Sequence, residues 1–336
     1  MITTQLTRRS TAAAVVILAL VSIPVALAGQ EWTTPRTAWG DPDLQGIWPS
    51  ANIAGTPFER PVEFGERAEL TDEEFAARAD EFNANFERVS ETVQEGARVE
   101  TAEGDTGGGP SHWGEGWLRS PSRMTSLIVD PPDGRFPPVT EQGRLRADNS
   151  WRSSFGDGPW NAPEDLGPYD RCISRGLLGS MFPSAYNNGN QILQAPGLVA
   201  IRNEMVHETR IIPLDGRPHL SKSINGYMGD SRGHWDGDTL VVETTNFNGR
   251  FGARGNGNNM PMSGTLQVAE RFTRVGADTL EYEVTVNDPG TWTRPWTVKY
   301  PMQRDMEYVM FEYACHEGNY GLKNILSGAR SDARTE

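Results

Sequence analysis

Leu280-Glu281-Tyr282-Glu283-Val284-Thr285-Val286-Asn287 carries the reading that decides the fold class. Strict alternation places Leu280, Tyr282, Val284 and Val286 on one face and Glu281, Glu283, Thr285 and Asn287 on the other. A strand with one face in a core and one in water has this pattern. Comparable runs cover residues 191–194, 198–202, 207–212, 239–247, 266–274, 292–300 and 308–315. No amphipathic helix separates them, so parallel crossover units drop out. The expected class is mainly β, an antiparallel meander forming a barrel or a sandwich. Asp238-Thr239-Leu240 and Asp278-Thr279-Leu280 lie 40 residues apart, each after a Gly-containing turn, and read as two similar hairpin entries.

Upstream, Met124 to Val129 is a further apolar run, stopped by Asp130-Pro131-Pro132-Asp133-Gly134, and 135–185 reads as irregular. One amphipathic helix is expected at about 72–95. Thr71-Asp72-Glu73-Glu74 is a capping box, and Phe75, Ala79, Phe82, Phe86, Val89 and Val93 form a single apolar stripe. Residues 29–66, rich in Pro and Trp, read as an extended wrap. The expected organisation is therefore a signal peptide (1–28), an N-terminal extension with the helix (29–120) and a β-rich ligand-pocket domain (121–336).

The signal reading rests on Arg8 and Arg9, the apolar stretch Ala12 to Val25, and Ala26-Leu27-Ala28 as a small-residue cleavage site. That stretch is too short to span a bilayer core of roughly 30 Å. No later stretch reaches 18 apolar residues. The mature chain is expected to be periplasmic or extracellular, with no membrane span. Losing Arg8 and Arg9 leaves 29 basic against 45 acidic residues, a net charge of −16. Phosphate backbones repel such a surface, so nucleic acid is excluded as a partner. Cys172 and Cys315 are the only cysteines. In an oxidising compartment they read as one disulfide; a Cys315 nucleophile beside His316 is the competing reading.

The polar stretch from His207 to Glu243 holds three of the five histidines. Histidine is the usual proton carrier near neutral pH. His207 or His219 is expected as acid or base, with Asp230 orienting it, Arg217 or Arg210 holding an anionic group or a developing negative charge, and Trp235 in the same stretch as a substrate-binding residue. Gly229-Asp230-Ser231-Arg232-Gly233 spells a nucleophile elbow, but a turn and strand follow where the motif requires a helix. No local spacing preorganises a metal, and Gly255-Asn256-Gly257 lacks the third glycine of a dinucleotide fingerprint, so no cofactor is expected. Residues 246–264 form a long loop, a lid candidate. Trp292, Arg294 and Trp296 fall on one face if their segment is a strand, a pocket for an anionic or sugar-like ligand.

Gly46-Ile47-Trp48, after Asp41-Pro42-Asp43-Leu44, resembles the G-x-W entry to the first strand of lipocalins, secreted antiparallel barrels that hold small apolar ligands. More of the chain resembles a broad family of secreted bacterial proteins of unassigned activity. The segments are Trp39 to Gly46, Ser126 to Gly134, Ile211 to Leu220, Gly229 to Phe247 and Cys315 to Tyr320. That resemblance implies membership and export, and no catalytic residue. The combined expectation is an exported β protein with a small-molecule pocket. It would act by acid–base chemistry, as a hydrolase, isomerase or lyase, on a small polar, anionic or sugar-like substrate. The alternative is a non-catalytic ligand- or glycan-binding protein. Oligomeric state is left open.

Overall fold

The computed structural model describes residues 32–50, 53, 56–94, 121–151, 154, 158–184, 187–254 and 259–332. The signal segment 1–28 and the Gly255-Asn256-Gly257 stretch lie outside them. The chain divides into two units, Met1–Thr33 and Thr34–Glu336, and every helix and strand among the described residues belongs to the second. In chain order these are β1 (Gly46–Ile47), α1 (Asp72–Gln94), β2 (Ile128–Asp130), α2 (Glu141–Asp148), α3 (Gly176–Met181), β3 (Asn190–Ala195), β4 (Leu198–Asn203), β5 (Thr209–Pro213), β6 (Asp230–Asp236), β7 (Thr239–Thr245), β8 (Gly252–Arg254), β9 (Asn259–Pro261), β10 (Gln267–Gly276), β11 (Thr279–Asn287), β12 (Trp296–Gln303) and α4 (Tyr320–Asp332).

The protein is mainly β, and every pairing between these strands is antiparallel. One sheet has the order β1-β3-β4-β5, a second β2-β12-β11-β10-β7-β6, and β8-β9 form a small ribbon. Neither large sheet closes into a barrel among the described residues. Both repeated entries are hairpin turns: Trp235 pairs with Leu240 and Arg274 with Leu280. The alternation in β11 is realised as expected, with Leu280, Tyr282, Val284 and Val286 all fully buried. β1 pairs with β3, so the extended segment after residue 34 supplies an edge strand to the body.

The buried faces of both sheets feed one hydrophobic core. Ile192, Val199, Ile201 and Ile212 from the first join Leu240, Val242, Val268, Phe272 and Val298 from the second. The sheets come closest at β5 and β6. A Cβ on Gly233 would sit 2.7 Å from Leu214 Cδ2 and 2.9 Å from Ile212 Cγ2, so a larger residue there would have to displace both side chains. Within this core lies an ion pair. Arg210 of β5 donates from both terminal nitrogens to Glu270 of β10, at 2.5 and 2.9 Å, and both residues are buried. Tyr282 Oη donates to the same carboxylate at 2.9 Å. Burial, reinforced by the Glu270 charge, pushes the Tyr282 phenol well above its ordinary pKa, so it remains a donor.

Four helices occur among the described residues, in place of the single one expected. α1 starts at the capping box: Glu74 N–H donates to Thr71 Oγ1 at 3.3 Å and Thr71 N–H to Glu74 at 2.8 Å. Phe75, Ala79 and Phe82 are all half-buried along its first turns, while the side chains of Phe86, Val89 and Val93 lie outside the described residues. α4 carries an apolar stripe of Leu322, Ile325, Leu326 and Ala329 that the sequence reading passed over. The remaining two gave no periodic signal for physical reasons. α2 is eight mostly polar residues capped by Thr140, and α3 is six residues buried all round.

Two expected strands are corrected. Residues 308–315 form no strand, because Tyr308 Oη and the Phe311 N–H bind the Glu204 carboxylate instead of a ladder. The 292–300 strand begins only at Trp296, after a turn in which buried Asp288 accepts from the Gly290 N–H and Thr291 Oγ1. Of the loop 246–264, expected as a lid candidate, Phe251, Ala253 and Met262 on its two arms are fully buried, while residues 255–258 lie outside the described residues.

Cys172 and Cys315 form the disulfide, 143 residues apart in sequence. Asn319 beside it donates to the Asp170 carbonyl at 2.9 Å. Replacing both cysteines by serine is expected to cost about 2–4 kcal/mol, chiefly by freeing the unfolded chain. The melting temperature should fall by roughly 3–6 °C in calorimetry with the fold retained; an unchanged melting point would mean that the bridge carries no stability.

Candidate functional site

Asp230 opens β6, and the site forms around it. Gly229 precedes it at φ +67°, where a Cβ would meet the Thr245 carbonyl at 2.5 Å, so this entry needs glycine. Alternation along β6 puts Ser231 and Gly233 inward and Asp230, Arg232 and His234 outward. The site therefore lies on the solvent face of an edge strand, opposite the core.

His219 Nδ1 lies 3.1 Å from Asp230 Oδ2, and the Leu220 N–H donates to the same oxygen at 2.9 Å. Arg232 Nη1 donates to Asp230 Oδ1 at 2.6 Å and to the Ser231 carbonyl at 2.7 Å. Its Nε donates to the Pro218 carbonyl at 3.2 Å. The His219 side chain is 29% exposed and the Asp230 side chain 11%, so the ring reaches solvent while its partner is shielded. Burial works to raise the Asp230 pKa. The Leu220 amide, the Arg232 guanidinium and the His219 ring outweigh it and hold the carboxyl below the usual range.

A second clamp holds the same loop. Asn246, at φ +60°, donates from Nδ2 to the carbonyls of Leu220, Ser221 and Ile224 at 3.0, 3.1 and 3.1 Å. The Gly226 N–H donates to the Asn246 carbonyl at 3.1 Å. Residues 218–226 are thus fastened to the ends of β6 and β7, and His219 is carried on a held segment.

Of the residues singled out in the sequence, the structure brings together His219 and Asp230. Arg217 is turned away onto exposed Asp215. Arg210 is committed to Glu270 inside the core, with its charge already matched, and does not face the His219 site. The His207 side chain lies outside the described residues. Trp235 is half-buried and packs against the core.

Trp292 and Trp296 are 1% and 0% exposed and do not share one strand. Their rings sit 5.2 Å apart edge to face, and both contact Phe136. The expected sugar-facing surface is therefore core packing, because both indoles stack on other rings. Arg294 stands outside on Asp130 at 3.2 Å. Ser231 is buried, bonds Thr244 Oγ1 at 2.9 Å and sits in a strand, so it is no elbow nucleophile. Among the described residues no cluster of His, Cys, Asp and Glu is placed to hold a metal ion, and no helix is long and apolar enough to cross a membrane. Sequence reasoning missed Arg232 as a partner of Asp230. The signal was their separation by two residues, which puts them on one face once β6 is a strand.

No family model, curated protein or solved structure matches the chain, so the geometry alone carries the functional reading.

Asp230→Asn should loosen the loop. Hydrogen exchange at the Leu220 amide is expected to quicken at least tenfold, as a charge-assisted hydrogen bond of about 1.5–3 kcal/mol is lost. Unchanged protection would show that Asn246 alone holds the segment. The native clamp follows pH with a fixed sign. The folded pKa is depressed, so its stabilisation is complete above the ordinary value of about 4 and is lost as pH falls further.

Proposed function

We propose that the protein is an exported β protein, built as a two-sheet sandwich and belonging to a family of secreted bacterial proteins, that performs acid–base chemistry on a small polar substrate at His219. The observation that carries this reading is the 3.1 Å contact between His219 Nδ1 and the Asp230 carboxylate. A carboxylate on Nδ1 favours the tautomer whose proton sits there, which leaves Nε2 as the basic nitrogen. Nε2 has no hydrogen-bond partner among the described residues, and the ring is partly exposed. In this reading His219 takes a proton from the substrate at Nε2 and later returns it, while Asp230 stabilises the imidazolium formed in between. Arg232 fixes Asp230 from the other side and keeps it ionised. Proton transfer of this kind serves hydrolysis, isomerisation and elimination alike. Support for export comes from the 1–28 segment and from the disulfide, which suits an oxidising compartment. Support for the sandwich comes from the core that the buried faces of both sheets share.

One observation favours a second reading, ligand binding without catalysis. Two of the donors on Asp230 are the loop amide of Leu220 and an arginine that also holds the Pro218 carbonyl, so the same contacts serve to fix a binding loop. A screen of small esters, lactones and sugar acids separates the two. Any turnover found should fall about 100-fold or more in His219→Gln, the usual worth of a general acid or base. Turnover that survives this change would contradict the catalytic reading. Thermal stabilisation by a ligand without turnover, equal in both proteins, would establish the second.

A further inference from the structure

Three buried polar atoms on the inner side of the first sheet have no hydrogen-bond partner among the described residues: Arg210 Nε, Asn203 Oδ1 and Ser180 Oγ. Their residues are 4%, 1% and 7% exposed. An orphaned polar atom in an interior costs about 1–3 kcal/mol, so three together call for a physical explanation. The residues are neighbours. Asn203 Nδ2 lies 3.5 Å from the Ser180 carbonyl and 3.4 Å from Met181 Sδ. Arg210 pairs with Ile201 across β4 and β5, which places it diagonally from Asn203 on the same inward face.

The orientation of the Asn203 amide follows from its surroundings. Asn190 uses its own Nδ2 on the carbonyls of Trp48 and Asn188, so it presents Oδ1 to Asn203, and Asn203 Nδ2 donates to it at 2.7 Å. Asn203 Oδ1 is then the free acceptor. Arg210 Nε–H is a free donor, and Ser180 Oγ serves in either role. Charge narrows the occupant further. Glu270 already neutralises Arg210 in a bidentate pair, so an added anion would meet an adjacent carboxylate with no net cation to hold it. An added cation would face the Arg210 donor.

We propose that Ser180, Asn203 and Arg210 form an internal binding site for one neutral hydroxyl group, that of a water molecule or of a small alcohol. The hydroxyl oxygen accepts from Arg210 Nε–H, its proton goes to Asn203 Oδ1, and Ser180 Oγ completes a three-bonded setting of the kind buried waters occupy. The site links α3, β4 and β5 on the core side of the sheets. It is distinct from the His219 site on the outer face and independent of the function proposed there.

A high-resolution crystal structure of the full chain, grown from alcohol-free buffer, tests this. The expected result is oxygen density about 2.7–3.2 Å from all three atoms. A lone oxygen identifies water as the source. Density that extends into a carbon chain after soaking with 1-propanol shows that alcohols are admitted as well. A dry cluster whose side chains pair with one another overturns the proposal. In solution, oxygen-17 relaxation dispersion should count one long-lived water fewer in Asn203→Leu. In Ser180→Ala, which removes only a hydroxyl, that water should exchange several-fold faster. Dispersion unchanged in both variants would also overturn it.

Discussion

Arg210 and Glu270 set the constraint on which the rest of the structure depends. One belongs to β5 in the first sheet and the other to β10 in the second, and both are out of water. Neither charge is tolerable there alone, because an unpaired ion in an interior costs several kcal/mol. The sheets must therefore meet with these two strands in register, and Tyr282 from β11 adds a third point to the junction. Apolar packing supplies most of the driving force, but it is non-directional. The ion pair makes the relative placement of the sheets specific.

From that junction the position of the outer site follows. β5 approaches β6 over Gly233, and the chain between them, residues 214–229, has to cross from one sheet to the other. It does so on the solvent side, fastened by Asp230 at one end of β6 and by Asn246 just after β7. Each strand residue of β6 thus serves one of two faces. Ser231 and Gly233 meet the core, and Asp230 and Arg232 build the setting for His219.

Much of this was legible in the residues, and the parts that were not have physical reasons. β11 announced itself because one face is apolar and the other polar, and β7 and β10 were read from their apolar residues between turns although Thr244 and Glu270 also face inward. β6 did not, because Ser231 and Gly233 face inward where an apolar residue is normally expected. α3 is buried on every side, so it carries no polar face to mark a helical period. The disulfide was legible from the count of two cysteines and the expectation of export. The His219 and Asp230 pairing was visible as a cluster, whereas Arg232 required knowing that β6 is a strand. Glu270 was overlooked although it left a trace. Val268, Glu270 and Phe272 alternate on one face, so a carboxylate occupies an inward register and demands a buried partner. The tryptophan pocket failed because the turn around Asp288 breaks the alternation on which it relied.

If the two sheets form one cooperative core joined at Arg210 and Glu270, removing either charge alone must be far worse than removing both. A double-mutant cycle with Arg210→Met, Glu270→Gln and the combined variant, followed by chemical denaturation, tests this most directly. A single transition is expected throughout. Each single change should cost about 3–5 kcal/mol, and the double variant should cost far less than their sum. Additive losses, or two separate transitions, would contradict a shared core pinned by this pair.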